Sequence, residues 1–341
     1  MSAVPSSERS DAKTDSLFAS IMENHGVKVG MEAFHSAVNV AFHEFEAEVY
    51  DAVHEDMWQS APQQIHLLVS DCLQATEPIR PLPQKIRVLD IGCGTGLATD
   101  ALLKSNIGER IVSIALLDSS PAMLRKAKER SQTWKVPVTI NEGLIDSLAR
   151  GNSFDWIITC SVLHHVPHLK SFIDGVRVLQ APNGVFCHLQ DPNGDYLQDA
   201  ELRKRMETRS RHQIPEWLQK LSPNRVVDKI ARELGTREAD DLVSKTSRAL
   251  IAKGVITTPL SAHDLYAITD VHVQNEKGIS VTEIGEWMPD WSLTAQRSYG
   301  FFGELWGSLP SRYRQMEEDL IAQHALNGFH IGAAWQVRSS Y

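Results

Sequence analysis

Val88-Leu89-Asp90-Ile91-Gly92-Cys93-Gly94-Thr95-Gly96 is the most informative stretch of the chain. An apolar run ends in glycines at alternate positions, and a helical pattern opens near Leu97. Glycines in such a place let the backbone turn tightly and leave room for a ligand to lie against it. A plain Gly-rich turn would show the same residues. The dinucleotide fingerprint Gly-x-Gly-x-x-Gly does not fit, because position 97 is leucine. Asp90 stands two residues ahead of the first glycine. A carboxylate there suits a ligand with an ammonium group, acting directly or by holding the loop, and opposes a pyrophosphate.

Outward from this stretch, short apolar runs alternate with helical segments: Ile86–Ile91, Ile111–Leu117, Val136–Ile140, Trp156–Cys160 and Val185–Leu189. Runs without polar alternation suit strands buried on both faces, and helices between them imply βαβ units and a parallel sheet. Asp118 closes the second run, 22 residues beyond Gly96, where an acid can accept both hydroxyls of a ribose. Ser119-Ser120-Pro121 then caps the next helix, with proline at its first position. Met123 on that first turn packs either on an adenine face or in the core.

Four regions separate by pattern. Residues 1–14 are Ser-rich and charged, without the apolar core of a signal peptide, and are expected to be a disordered tail. Residues 15–78 carry a helical apolar period, Phe34, Val38, Phe42, Phe45, Val49, Val53 and Met57, with Pro62 expected to restart a second helix. Prolines between 77 and 83 mark a linker. Residues 84–195 and 279–341 form the α/β domain, and 196–278 form a helical insertion after the fifth strand, too long for a plain loop. Leu202, Met206, Trp217, Leu218, Leu221, Val226, Val227, Ile230, Leu234, Leu242, Leu250 and Ile251 fall there at mostly helical spacing. Trp291–Tyr299 and Gly332–Arg338 fit two final strands, and Pro310–His324 fits a charged helix between them.

Composition narrows the function classes. A balance of 34 basic against 43 acidic residues, net −9, argues against a protein that lives on nucleic-acid phosphates. No apolar run approaches the ~18 residues of a membrane span. Cys72, Cys93, Cys160 and Cys187 are widely spaced, which speaks against a disulfide framework or thiolate zinc site and for a reducing, cytoplasmic compartment. His164 and His168 have helical spacing, but Pro167 lies between them and no third ligand is near in sequence, so no metal is expected.

The glycine stretch, followed by Leu117-Asp118-Ser119-Ser120-Pro121-Ala122-Met123-Leu124, resembles the S-adenosylmethionine-dependent methyltransferases of the Rossmann-like class. Phe154-Asp155-Trp156-Ile157-Ile158 and Ser161-Val162-Leu163-His164-His165-Val166 look like that family's next motifs. The resemblance is strong over about 85–191 and weaker over 279–341. It implies a seven-stranded mixed sheet, order 3-2-1-4-5-7-6 with strand seven antiparallel, carrying S-adenosyl-L-methionine. Gly92, Cys93, Gly94 and Gly96 would lie under the cofactor's methionine part, with Asp90 close by, and Asp118 and Ser119 would meet the ribose. Met123 would meet the adenine, and Cys160 and Ser161 the methionine end. After strand three the family commonly places an acid near the adenine amino group. Here Leu144 stands in that place, so recognition would fall to the backbone of Leu144 and Ile145.

The expected reaction is methylation of an O or N nucleophile on a small-molecule substrate. His164 and His165, just after strand four, are candidate bases, although Leu-His-His-Val also serves as a loop-shaping signature. His188, Gln190 and Asp191 end strand five at the same sheet edge, where ligands of open α/β sheets collect: His188 as a further base, Gln190 and Asp191 as substrate contacts. Tyr50, His54 and Trp58, with Asp51, would line a lid folded over the cofactor and touch the substrate. The insertion would cap the substrate, and its basic run Arg203, Lys204, Arg205, Arg209 and Arg211 is either an anion contact or a solvated helix face. The N-terminal apolar stripe serves a homodimer interface as well as a lid. Two other functions carry the same cofactor site: a rearrangement or cyclisation without methyl transfer, and a non-catalytic binding subunit.

Overall fold

The runs between Lys85 and Asp191 fold as five parallel strands: β1 (Ile86–Ile91), β2 (Ile111–Asp118), β3 (Val138–Glu142), β4 (Phe154–Cys160) and β5 (Gln180–Pro192). The computed structural model describes residues 6–148, 151, 153–211, 236–274 and 277–338. With β6 (Trp291–Tyr299) and β7 (His330–Val337) the strands form one sheet of order β3-β2-β1-β4-β5-β7-β6. β7 runs antiparallel to both β5 and β6. β3 begins two residues later than its apolar run suggests. β5 is longer than Val185–Leu189, because its pairing with β7 continues to Pro192 and takes in His188 and Asp191.

One face of the sheet buries Val88, Leu116, Trp156, Cys187 and Ala334 against α4 (Glu55–Thr76), α5 (Leu97–Leu103) and α6 (Pro121–Ser131). The other buries Leu89, Leu117, Ile157 and Phe186 against α7 (Leu169–Leu179) and the short helix Val281–Trp287. This two-sided cover is why the strands read as unbroken apolar runs.

The N-terminal region departs from its expected form. α1 (Ser6–Asn24) begins inside the stretch expected to be a disordered tail. α2 (Met31–Glu46) ends before the single turn α3 (Tyr50–Val53), so one continuous periodic run is broken twice. Pro62 does not restart a helix: it lies inside α4. It removes one intrahelical N–H, but the face of Ala61, Ile65, Leu68, Val69 and Cys72, packed on the sheet, carries the helix across the gap.

The described part of the insertion is helical, at Ala200–Arg211, Thr236–Ala252, Ala262–Thr269 and Val271–Gln274. Trp217, Leu218, Leu221, Val226, Val227, Ile230 and Leu234 lie outside the described residues. The insertion and the N-terminal helices share one core, in which Phe18, Phe34, Val38 and Phe42 meet Leu250, Leu265, Tyr266 and Ile268. In the basic run, Arg205 donates to the Phe301 and Asn327 carbonyls and Arg209 pairs with Glu304, so these two bind the protein's own groups. No described helix is long and apolar enough to cross a membrane.

The shared helical core makes a test. Leu265→Ala, at a fully buried position, should cost about 2–5 kcal/mol. Hydrogen exchange should then quicken in α2 and in residues 236–269 together, while the sheet stays protected. Quickening confined to 236–269 would show that the two segments are independent.

Candidate active site

The loop after β1 uses its glycines for different reasons. Gly92, Gly94 and Gly96 all have positive φ, at 64°, 51° and 92°. A Cβ on Gly92 would stand 2.6 Å from Val162 Cγ2, whereas one on Gly94 would meet nothing within 4 Å. Gly92 therefore permits close packing against the loop after β4, and Gly94 presents bare backbone to open space. Cys93 is buried, its thiol turned to the Gly94 carbonyl.

Asp118 ties this loop to the end of β2. Its Oδ2 accepts from Gly94 N at 2.9 Å and its Oδ1 from Ser120 N at 2.8 Å. Burial raises its pKa, partly offset by those backbone N–H groups. Each oxygen keeps acceptor capacity, so the pair can receive a vicinal diol. Ser119 sits half-buried beside it, and Ser120 caps α6 through Met123 N. Asp90 lies behind the loop instead of in it: its Oδ2 accepts from Thr99 Oγ1 at 2.6 Å, and it is fully buried. Burial pushes its carboxyl up to about 7, with Thr99 opposing. It holds α5 through Thr99, and its Oδ1 has no hydrogen-bond partner among the described residues.

The N-terminal helices are fastened to this cradle. Asp51 Oδ1 accepts from Thr95 Oγ1 (2.7 Å) and Trp58 Nε1 (3.1 Å), and its Oδ2 from Arg130 (2.8 Å). Arg130 also donates to the Thr95 carbonyl and stacks 4.0 Å over Trp58. Glu44 accepts from Ala122 N and Arg125 at the start of α6. Trp58 is thus part of the latch and is half-buried there. Ala47 and Tyr50 cover Ala122 and Met123, which leaves Met123 only 2% exposed.

Across the crevice, His164 and His165 follow β4 with ring centroids 3.9 Å apart. His164 Nδ1 lies 2.8 Å from Asp191 Oδ1, which also accepts from His164 N. Burial opposes a charge on His164, but the hydrogen bond to Asp191 and the charges of Asp191 and Asp270 together outweigh it and raise the pKa above 6.5. His165 is driven well below 6.5 by burial and by His164 and His43, and its Nδ1 lies 2.6 Å from the Thr269 carbonyl. α2 brings His43 and Glu46 to the same place, with Glu46 between His43 (2.9 Å) and His54 (3.4 Å). Burial works against the Glu46 charge, yet these two hydrogen bonds bring its carboxyl down to about 2. Asp270, from the insertion, lies 3.4 Å from His165 Nδ1 and 3.8 Å from His164 Nε2. One ligand atom from each of these three lies within 4.8 Å of the others, a spacing that fits a metal ion. The histidine Nδ1 atoms already face Asp191 and a carbonyl, so the cluster also stands as a hydrogen-bonded network.

Two expected site residues at the end of β5 move out of direct contact. His188 is fully buried, stacked on Phe186, and neither ring nitrogen has a hydrogen-bond partner among the described residues. Burial lowers its pKa to about 4. It lies inside the longer β5, so it cannot reach a substrate. Asp191 is also fully buried, behind His164, and touches no open space. A break in register between Leu189 and Asp191 leaves Gln190 at a bulge with φ 68°, and Ser161 beside it has φ 60°. Such conformations cost a non-glycine residue on the order of 1 kcal/mol each and concentrate where the surroundings over-determine them. Cys160 is half-buried at the end of β4. Leu144 is 57% exposed, its carbonyl bonded by Ser147, while Ile145 packs on Gly175 of α7.

His43, Glu46 and Asp270 join the site without a motif to announce them. The first two show in the sequence only as an i,i+3 pair on one helix. Asp270 has no local signal at all, since it joins the site through the shared helical core.

Residues 89–186 match the family model described as Methyltransferase domain. The chain is 31% identical over 112 residues to a ubiquinone biosynthesis O-methyltransferase of Methylobacterium sp. (strain 4-46), covering 32% of this chain and 43% of that one. It is 36% identical over 110 residues to the highly reducing polyketide synthase AFT9-1 of Alternaria alternata, covering 30% of this chain and 4% of that one. The chain thus spans less than half the length of either relative. Among solved structures, the plantazolicin methyltransferase BpumL in complex with SAH aligns over 90% of this chain and 97% of its own, at 9% identity and a TM-score of 0.46.

The cradle predicts a contrast. Gly94→Ala should cost about 1 kcal/mol, the strain of its φ alone. Gly92→Ala adds the Val162 clash and should cost about 2–4 kcal/mol. Denaturant midpoints of the two variants would check this, and equal losses would contradict it.

Proposed function

The chain carries a methyltransferase domain of the S-adenosylmethionine-dependent class, and from that premise we propose that it methylates an oxygen or nitrogen nucleophile of a small molecule, releasing S-adenosylhomocysteine. The observation that supports this reading best is the bare Gly94 backbone held against the Asp118 carboxylate. Those residues fit the cofactor: Gly94 leaves room that a Cβ would fill, and Asp118 keeps acceptor capacity for the ribose hydroxyls. When bound, the cofactor supplies a methyl group already activated on a cationic sulfur.

The remaining work belongs to the chain. Gly92, Gly94 and Gly96 shape the cradle, and Asp118 with Ser119 grips the ribose. Met123, Leu144 and Ile145 flank the base, and Cys160 and Ser161 close the methionine end. Asp191 holds the Nδ1 proton of His164, which leaves Nε2, 3.8 Å from the Asp270 carboxylate, to take the acceptor's proton. The N-terminal helices, latched through Asp51, act as a lid that excludes water and aims the acceptor. Tyr50, His43 and His54 line that lid, and the insertion caps the substrate and delivers Asp270.

Incubation with methyl-labelled cofactor and the small-molecule fraction of the source cell tests the proposal: label must appear in a small product. Binding of cofactor with label in no product would contradict it. Asp118→Ala should weaken S-adenosylhomocysteine binding roughly a hundredfold in calorimetry, the loss of about 2–3 kcal/mol of hydrogen bonding to a charged group. An unchanged affinity would remove the ribose role.

The dyad sets the pH dependence. His164 works unprotonated, so kcat/KM should rise with pH through a pKa above 6.5. Asp191→Asn removes the charge that raises that pKa. The acid limb should therefore move to lower pH while the plateau falls about 10²–10⁴-fold, as expected when the base loses its correct tautomer. A limb that stays in place would contradict the dyad.

A further inference from the structure

Gln190, expected from the sequence to touch the substrate, is a polar side chain at the sheet edge whose part in the proposed methyl transfer has no chemistry attached to it yet. It stands on the β5 bulge in a left-handed conformation, only 6% exposed. Its Oε1 accepts from Tyr299 Oη at 2.9 Å. Tyr299 is itself buried, and among the described residues the Gln190 amide is the partner its hydroxyl has. A phenol proton needs an acceptor, so the pairing fixes which way the amide points: oxygen to Tyr299, NH2 away from it. That NH2 makes no hydrogen bond to any described residue. The bulge sits between Leu189, whose carbonyl accepts from Ser161 N, and Asp191, which holds His164. Bulges re-aim side chains, and a strained one beside a reactive pair places a donor where an unbulged strand would have turned the side chain elsewhere.

We propose that Gln190 Nε2 is a hydrogen-bond donor to an oxygen of the methyl acceptor, and that the acceptor class is an oxygen acid, a phenol or an enolisable carbonyl compound. This rests on the methyltransferase reading and names the substrate class of the same site. The acceptor's proton goes to His164 Nε2, the electron pair stays on the acceptor, and negative charge develops on its oxygen. A donor already oriented by Tyr299 stabilises that charge without reorganising. An amine acceptor loses its proton without forming an oxyanion and gains nothing from it.

The test needs no known substrate. 4-Nitrophenol changes absorbance on ionising, so it reports the donor directly when added to the full chain saturated with S-adenosylhomocysteine. At one fixed pH below the dye's own pKa, the wild-type protein should bind it with at least a tenfold larger phenolate-to-phenol ratio than free dye. Gln190→Met removes the donor and should lose most of that gain while S-adenosylhomocysteine affinity stays within twofold. Gln190→Gly removes the donor and relaxes the left-handed backbone, so it gives the same reading if the methionine variant fails to fold. Tyr299→Phe frees the amide to turn and should lose part of the gain. Equal ionisation in wild type and both Gln190 variants would overturn the proposal, as would no binding of the dye to the loaded wild-type protein. Failure to bind S-adenosylhomocysteine would instead overturn the reading beneath it.

Discussion

Everything at the sheet edge depends on one carboxylate. Asp118 receives the backbone N–H of Gly94 on one oxygen and that of Ser120 on the other, and so locks the turn after β1 to the turn after β2. Two neighbouring parallel strands end in loops whose separation this carboxylate fixes together with the Leu117 carbonyl, which accepts from Gly92 N and Cys93 N. Amide bonds to a buried carboxylate are charge-assisted and directional, and they set that separation. The Gly94 backbone and the start of α6 thereby become the two walls of one crevice.

From that lock the remaining parts take their places. Thr95 and Arg130 stand on either wall, and Asp51 reaches both, so the N-terminal helices close over a crevice that is already formed. Closure carries His43 and Glu46 towards His164 and His165, with the rings of His43 and His165 5.4 Å apart. The insertion adds Asp270 through the core it shares with α2. Three segments far apart in sequence thus build one chamber of imidazoles and carboxylates. Its titrations are mutually dependent through His43: Glu46 is held charged by His43 and His54, and His165 is held neutral by burial with His164 and His43.

Much of this was legible in the sequence, for physical reasons. Apolar runs of five to seven residues between helical stretches define buried parallel strands, and Asp118 is recognisable by its place at a strand end. The cradle showed because glycines at 92, 94 and 96, set between a strand and a helix, pack nothing themselves and serve to bend and bare the backbone. What failed was non-local. Pro62 reads as a helix break, yet tertiary packing of α4 overrides it. His188 and Asp191 read as pocket residues because the extension of β5 depends on pairing with β7, more than a hundred residues away. Asp270 and the Gln190–Tyr299 pair have no local pattern, since each is made by packing between distant segments.

We assign the crevice walled by the Gly94 backbone and the Asp118 carboxylate as a nucleoside site for a sulfonium methyl donor. A crystal structure of the chain grown with S-adenosylhomocysteine tests it most directly. The amino-acid part should lie over Gly94, with both ribose hydroxyls within hydrogen-bonding distance of the Asp118 carboxylate. A ligand seated elsewhere, with this crevice empty or filled by a dinucleotide, would contradict it.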